Sequence, residues 1–287
     1  MASIPIVSVD PVTIEVAGRP VAVRITAPQS GNDLPVLVFS HGAAMNRSDY
    51  RPLVEGLARA GYVVVQPDHP DASDDGIAPP PWPDDSWRVR AETLLWIGGN
   101  LSLVLQEIPA LVRRTDLSRV AVAGHSFGGH SAALAMGALV EGMERMRARP
   151  YRAAVLLAPP GNHDGMTPEW KPRSPHLKVD WSTMQGPALM IVGTVDVGPM
   201  SDLGPAWHED GFRDASAGQD ISLMRLEGAG HYLGGIDSAL RGPVGDTTAQ
   251  RRADVLRTMI AFLDHALARP SEAARLWPSI RSALLCK

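Results

Sequence analysis

Arg119-Val120-Ala121-Val122-Ala123, then Gly124-His125-Ser126-Phe127-Gly128, then Gly129-His130-Ser131-Ala132-Ala133-Leu134-Ala135 is the stretch that decides the fold. An apolar, partly β-branched run leads into G-x-S-x-G, and small helix formers follow. This order reads as strand, tight turn and helix, the context of a nucleophile elbow. The glycines have a steric reason. The serine sits on a strained turn, and only residues without a Cβ let strand and helix approach that closely. The turn raises the Ser126 hydroxyl at the carboxyl end of a sheet. It also sets the Phe127 N–H at a helix N-terminus, where an oxyanion is stabilised.

Outward from the elbow, strands alternate with helices. Val12–Ala17 and Pro20–Thr26, separated by Gly18-Arg19, read as an antiparallel hairpin. Pro35–Ser40 is continuously apolar, as a strand buried on both faces should be. Ser48-Asp49 caps an expected helix running to about Ala60, and Tyr62–Gln66 is the next strand. A helical stretch spans about Trp87 to Arg114, interrupted near Gly98-Gly99, and the elbow helix runs to about Arg147. Strands are expected at Ala153–Leu157, Ala188–Val192 and Ile221–Leu226, with a helix over Ala249–Ala268 and a short terminal one. The fold class is α/β: a mostly parallel sheet with an N-terminal antiparallel hairpin and helices on both faces. No linker, repeat or low-complexity tract interrupts the 287 residues, so one domain over 1–287 without a separate cap is expected.

Composition bounds the function. An apolar share of 45% and a charged share of 20% belong to a globular chain with a substantial core. A net charge of −4 argues against nucleic acid or an anionic membrane surface as partner. No run approaches the ~18 apolar residues of a membrane span. Cys286 is the one cysteine, which permits a reducing compartment, and the start lacks a secretory leader pattern, so a cytoplasmic protein is expected. A monomer or homodimer is expected.

A serine needs a base, and the base needs an orienting acid. In open parallel sheets both belong at the carboxyl ends of strands. Of nine histidines, His231 follows Leu226-Glu227-Gly228-Ala229-Gly230, a small-residue loop after the last strand. His41, His69, His163, His176 and His208 read as loop residues. Asp196, three residues past the strand ending Val192-Gly193, is the expected acid, with Asp202 as runner-up. The chain order Ser126, Asp196, His231 is the one expected when all three loops rise from successive strands of this fold. The second oxyanion donor is expected from Ser40-His41-Gly42-Ala43-Ala44-Met45: the N–H of Ala43, or alternatively that of Ala44.

Phe39-Ser40-His41-Gly42, Gly61–His69, Gly124–Gly129 and Gly230-His231 together resemble an α/β-hydrolase. More narrowly they resemble the branch of platelet-activating-factor acetylhydrolase-like esterases, chlorophyllases and bacterial polyester hydrolases. Many relatives there are labelled predicted dienelactone hydrolase. The resemblance covers roughly Pro35 to Ala268 and implies a cofactor-free serine hydrolase acting on small-molecule carboxylic esters. Two departures matter. Dienelactone hydrolases use a cysteine where this chain has Ser126, and polyester hydrolases have Pro-Trp where it has Pro159-Pro160. A non-hydrolytic member of the fold, such as an acyltransferase, perhydrolase or lyase, is the alternative.

Three long loops, Pro67–Asp85, Ala158–Gly186 and Val197–Gln219, converge on the strand ends. Loops of that length are usually functional. They carry Trp82 and Trp170, and with Ala44, Met45, His125 and Tyr232 these are the expected substrate-facing residues. The resulting pocket is apolar and open, suited to short or medium acyl chains or compact aromatic esters. No metal site is expected, because the His/Asp pairs lack a further ligand at useful spacing.

Overall fold

Alternation of side chains along the apolar strands sorts the interior into two layers, one on each face of a sheet with nine strands among the described residues. In a computed structural model, residues 4–73, 85–143, 150–237 and 248–287 are described. The chain runs β1 (Ile6–Val16), β2 (Arg19–Pro28), β3 (Leu34–Ser40), α1 (Arg51–Arg59), β4 (Val63–Pro67) and α2 (Ser86–Gly99). Then come α3 (Leu101–Val104), α4 (Pro109–Val112), β5 (Thr115–His125), α5 (Phe127–Ala135), β6 (Leu139–Val140) and β7 (Ala153–Leu157). It closes with β8 (Val179–Asp180), β9 (Ala188–Gly193), α6 (Asp210–Arg213), β10 (Ile221–Leu226), α7 (Ala249–Ala266), α8 (Glu272–Arg281) and β11 (Leu285–Cys286).

The sheet order is β1-β2-β4-β3-β5-β7-β9-β10-β11. From β4 through β10 all pairings are parallel. The β1–β2 hairpin joins β4 in antiparallel fashion, and β11 pairs antiparallel with β10 at the far edge. The fold is therefore the α/β-hydrolase arrangement that the sequence leads one to expect. Val36, Val38, Val120 and Val122 point into the layer shared with α2 and α5. Leu37, Phe39, Ala121 and Ala123 point into the layer shared with α1, α7 and α8.

The chain leaves β3 outward to β4, then crosses back to β5 on the other side of β3. That reversal is the switch point where open α/β sheets open a crevice. Ser40 and Gly124 lie side by side there, so the loop after β3 and the elbow after β5 emerge together.

Several boundaries differ from expectation. The hairpin turn is Ala17-Gly18, both with positive φ (50° and 76°), one residue before Gly18-Arg19. Such a turn matches the twist of its strands. Helix α1 has Tyr50 at its N-cap with no side-chain cap bond, and the Asp49 carboxylate instead accepts from the Asn46 N–H at 2.9 Å. Helix α5 stops at Ala135 rather than near Arg147, because Gly137 (φ 96°) turns the chain just past its C-cap. The stretch after α2 divides into two single turns, α3 and α4, with Pro109 opening the second. No helix among the described residues is long and apolar enough to cross a membrane.

Candidate active site

Ser126 holds φ 54° and ψ −122°, a conformation costly for any residue with a side chain. Its N–H donates to the Leu157 carbonyl at 2.8 Å, and its carbonyl accepts from Gly129 at 2.8 Å, so both sides of the turn are fixed. The flanking glycines are sterically required. A Cβ on Gly124 would collide with the Gly128 carbonyl, and one on Gly128 with the Ser40 carbonyl. Phe127 is the first residue of α5.

The loops after β9 and β10 are laced together before they present any side chain. Thr194 N–H donates to Leu226 O (3.1 Å), Val195 N–H to Ala229 O (3.0 Å), and Gly228 N–H to Thr194 Oγ1 (2.8 Å). Gly193 makes the approach possible, since a Cβ there would strike the Ala229 carbonyl. The lacing brings Asp196 Oδ2 to 2.9 Å from His231 Nδ1. Asp196 is 1% exposed, while the His231 side chain is 30% exposed. Burial raises the Asp196 pKa, but hydrogen bonds from His208 and His231 outweigh it and hold the carboxyl well below the usual range.

His208, which the sequence places only in a loop, stands on the other side of that carboxylate, its Nε2 at 3.4 Å from Asp196 Oδ1. Its Nδ1 lies 2.8 Å from the Pro159 carbonyl, and its ring centroid 5.4 Å from that of His231. One side-chain nitrogen or oxygen from each of Asp196, His208 and His231 lies within 4.8 Å of the others, a closeness accounted for by two rings sharing one carboxylate. Asp202 is exposed.

Among the described residues no hydrogen bond joins the Ser126 hydroxyl to His231; what links the two loops is His125. A carbonyl only accepts, so His125 Nε2 donates to the His231 carbonyl at 2.8 Å, which leaves Nδ1 to accept from the Tyr50 hydroxyl at 2.9 Å. The same hydroxyl accepts from the Gly42 N–H at 2.9 Å and lies 2.8 Å from the Met45 sulfur. Burial, and then the neighbouring His231, push His125 down to about 3, in keeping with a neutral ring. His125 and Met45 were expected to face substrate. Both are instead buried, at 1% and 2% exposure, and act as struts behind the crevice.

A second brace was not legible beforehand. Arg90, on α2 and fully buried, meets Asp71 through Nε–Oδ1 (2.8 Å) and Nη2–Oδ2 (2.7 Å). It also donates to the carbonyls of His41 (2.8 Å) and Gly42 (3.2 Å), and its guanidinium carbon lies 4.6 Å from the Phe127 ring centre. The Ala44 N–H donates to Asp71 Oδ2 at 3.4 Å. His41, pushed down to about 3 by burial and then by Arg90, donates from Nδ1 to the Gly42 carbonyl and accepts the His69 N–H at Nε2.

Of the loop tryptophans, Trp181 and Trp207 are anchors: their indole N–H groups donate to the Asn162 side-chain and main-chain oxygens, each at 2.9 Å. Trp170 is half-buried against Met166, Leu177 and Trp207. Tyr232 is half-buried, its ring 5.4 Å from that of His125 and 5.6 Å from that of His231. Ala43 and Ala44 are half-buried. Trp82 lies outside the described residues.

The family model for chlorophyllase matches residues 3–156. The chain belongs to the chlorophyllase family. Over 116 residues it is 34% identical to chlorophyllase type 0 of Chenopodium album, covering 39% of this chain and 32% of that protein. Over 108 residues it is 29% identical to the chloroplastic chlorophyllase-1 of Citrus unshiu, covering 38% and 30%. The matches thus span about a third of the length of these curated relatives. Among solved structures, a mutant form of the esterase rPPE superposes with a TM-score of 0.62 at 18% identity, covering 93% of this chain and 84% of its own. That likeness concerns the fold. The family match ends at residue 156, so it takes in the elbow but neither Asp196 nor His231.

Proposed function

We propose that this member of the chlorophyllase family is a serine hydrolase of carboxylic esters. The observation that carries the reading is the hydrogen-bonded His231–Asp196 pair at the same strand ends as a serine held at φ 54°. Ser126 attacks the ester carbonyl while His231 Nε2 takes its proton. Asp196 fixes the Nδ1–H tautomer and stabilises the imidazolium that forms. This reading requires a Ser126–His231 contact in the substrate complex, where catalytic hydrogen bonds tighten. The tetrahedral oxyanion is received by the N–H groups of Phe127 and Ala43. Ala44 turns its own N–H to Asp71, which favours Ala43 over Ala44. His231 then protonates the leaving alcohol, and water hydrolyses the acyl-enzyme by the same steps in reverse.

Short and medium acyl chains or compact aromatic esters are the proposed substrates, with Trp170 and Tyr232 at the edges of the crevice. The names of the relatives make chlorophyll the competitor to include in any substrate panel. Turnover of p-nitrophenyl acetate and butyrate by Ser126→Ala tests the reading. Loss of activity, together with loss of the mass adduct that a fluorophosphonate leaves on the parent protein, is the expected result. Turnover near that of the parent chain would remove Ser126 from the mechanism.

A further inference from the structure

Both ring nitrogens of His208 face acceptors. The Pro159 carbonyl, 2.8 Å from Nδ1, has no proton to give, so Nδ1 carries one. Asp196 Oδ1 lies 3.4 Å from Nε2, ion-pair distance for a protonated ring, and a bare lone pair on Nε2 would be repelled by that carboxylate, which favours a proton there as well. A ring protonated at both nitrogens is an imidazolium. His208 is 6% exposed, and the pairing compensates for the cost of burying that charge.

We infer that His208 is a positioning residue for the reaction: a buried imidazolium that holds the second oxygen of Asp196 and so keeps the first aligned on His231. The inference rests on the triad reading above. The two rings share one carboxylate, with Oδ2 bonded to His231 and Oδ1 facing His208, and their ring centres lie 5.4 Å apart. His208 therefore keeps Asp196 anionic and oriented toward His231.

The groups facing His208 agree with this assignment. Asp196 comes from the loop after β9, and Asp210 opens α6 two residues on; both favour the charge on His208. Asp210 is itself held by Arg213 at 2.5 Å and by the Asn162 N–H at 2.9 Å. Glu209 is taken up by Arg225, at 2.7 Å through each of two nitrogens. His231 and His125 are the basic neighbours, and His125 is neutral. Burial lowers the affinity of His208 for its proton, and the carboxylates more than restore it.

Two measurements test the inference, and neither depends on the other. Nitrogen-15 NMR of the His208 ring in the parent protein at pH 7 should show two protonated nitrogens. His208→Gln keeps a neutral donor toward Asp196 and removes the charge. Its kcat on p-nitrophenyl butyrate, per active site titrated with a fluorophosphonate, should fall about tenfold while KM changes far less. A merely structural role would lower the fraction of active sites and leave kcat per site unchanged. If the Gln variant fails to fold, His208→Asn, which keeps the donor toward Pro159, takes its place. A neutral His208 ring at pH 7, or an unchanged kcat per active site, overturns the proposal. Retained activity in Ser126→Ala would instead sink the triad reading, and the NMR result would still decide the state of His208.

Discussion

The guanidinium of Arg90 and the carboxylate of Asp71 meet at two points, 2.8 and 2.7 Å apart, with neither side chain exposed to solvent. The pair ties α2 to the loop after β4, and through the His41 and Gly42 carbonyls it holds the loop that carries Ala43. Burial raises the Asp71 pKa, but Arg90 outweighs it and holds the carboxyl below its ordinary value. Its stabilising contribution is therefore present above the unfolded pKa and lost as pH falls through the folded one. Removing one partner leaves the other charge buried and unpaired. Arg90→Met or Asp71→Asn should cost about 3–5 kcal/mol in urea unfolding at pH 7. The double variant Arg90→Met/Asp71→Leu should recover much of that loss while kcat stays depressed, because the loop is no longer held. Full recovery of kcat in the double variant would show that the brace has no bearing on the oxyanion loop.

The Tyr50 hydroxyl has a similar role on the other side of the crevice, between the Gly42 N–H and His125 Nδ1. Tyr50→Phe leaves a buried donor and a buried acceptor without their partner, which should cost about 1–3 kcal/mol of stability. His125 in turn holds the carbonyl of His231. Loosening it should lower kcat more than it changes KM, measured on p-nitrophenyl butyrate. An unchanged kcat in a stably folded Tyr50→Phe protein would show that His231 is positioned without this chain of bonds.

Local chemistry decided which parts of this arrangement could be read from the sequence. Pro35–Ser40 and the elbow strand carry their own signal, since burial on both faces demands an unbroken apolar run. The small residues Gly228-Ala229-Gly230 point to His231, and a position three residues past a buried strand points to Asp196; the two side chains meet at 2.9 Å. The two-residue edge strand β11 is too short to show any period. The braces were hidden for a different reason. Arg90 looks like one more charge on a helix, and Asp71 lies in a loop rich in Asp and Pro; only the fold brings the pair to complete burial. His208 gave no signal either. It follows Trp207, but nothing in Pro205-Ala206-Trp207-His208 reports that Asp196 lies beside it. His125 and Met45 misled because proximity to Ser126 or Ala43 along the chain says nothing about which side of the sheet end a side chain takes.

The shared carboxylate also makes stability depend on pH in two directions. Asp196 is held well below its ordinary range, so its contribution is present above the unfolded pKa near 3.8 and lost as pH falls through the folded one. His208 is raised, so its contribution is fully present below the unfolded value near 6.5 and lost as pH rises through the folded one. The Tm difference between parent and His208→Gln should thus be largest near pH 6 and shrink as pH is raised to about 9. Differential scanning calorimetry across that range checks it, and a difference that grows with pH would contradict the assigned direction.

Asp196 and Asp202 are six residues apart, and their surroundings are opposite. Asp196 is buried and bonded to His231, whereas Asp202 is exposed. Asp196→Asn presents an amide with both donor and acceptor ends. The acceptor can serve only one of the two rings, and the negative charge that stabilises the imidazolium at His231 is gone. The expected loss in kcat is about 10³–10⁴-fold, with KM changing far less, as for an orienting acid in a triad. The same change leaves the His208 cation unpaired, so a lower Tm should accompany it. Asp202→Asn should alter kcat by less than about twofold, as expected for an exposed side chain away from the reacting groups. Steady-state kinetics of both variants on p-nitrophenyl butyrate separates the two. A crippled Asp202→Asn beside a mild Asp196→Asn would reassign the acid while leaving Ser126 and His231 in place.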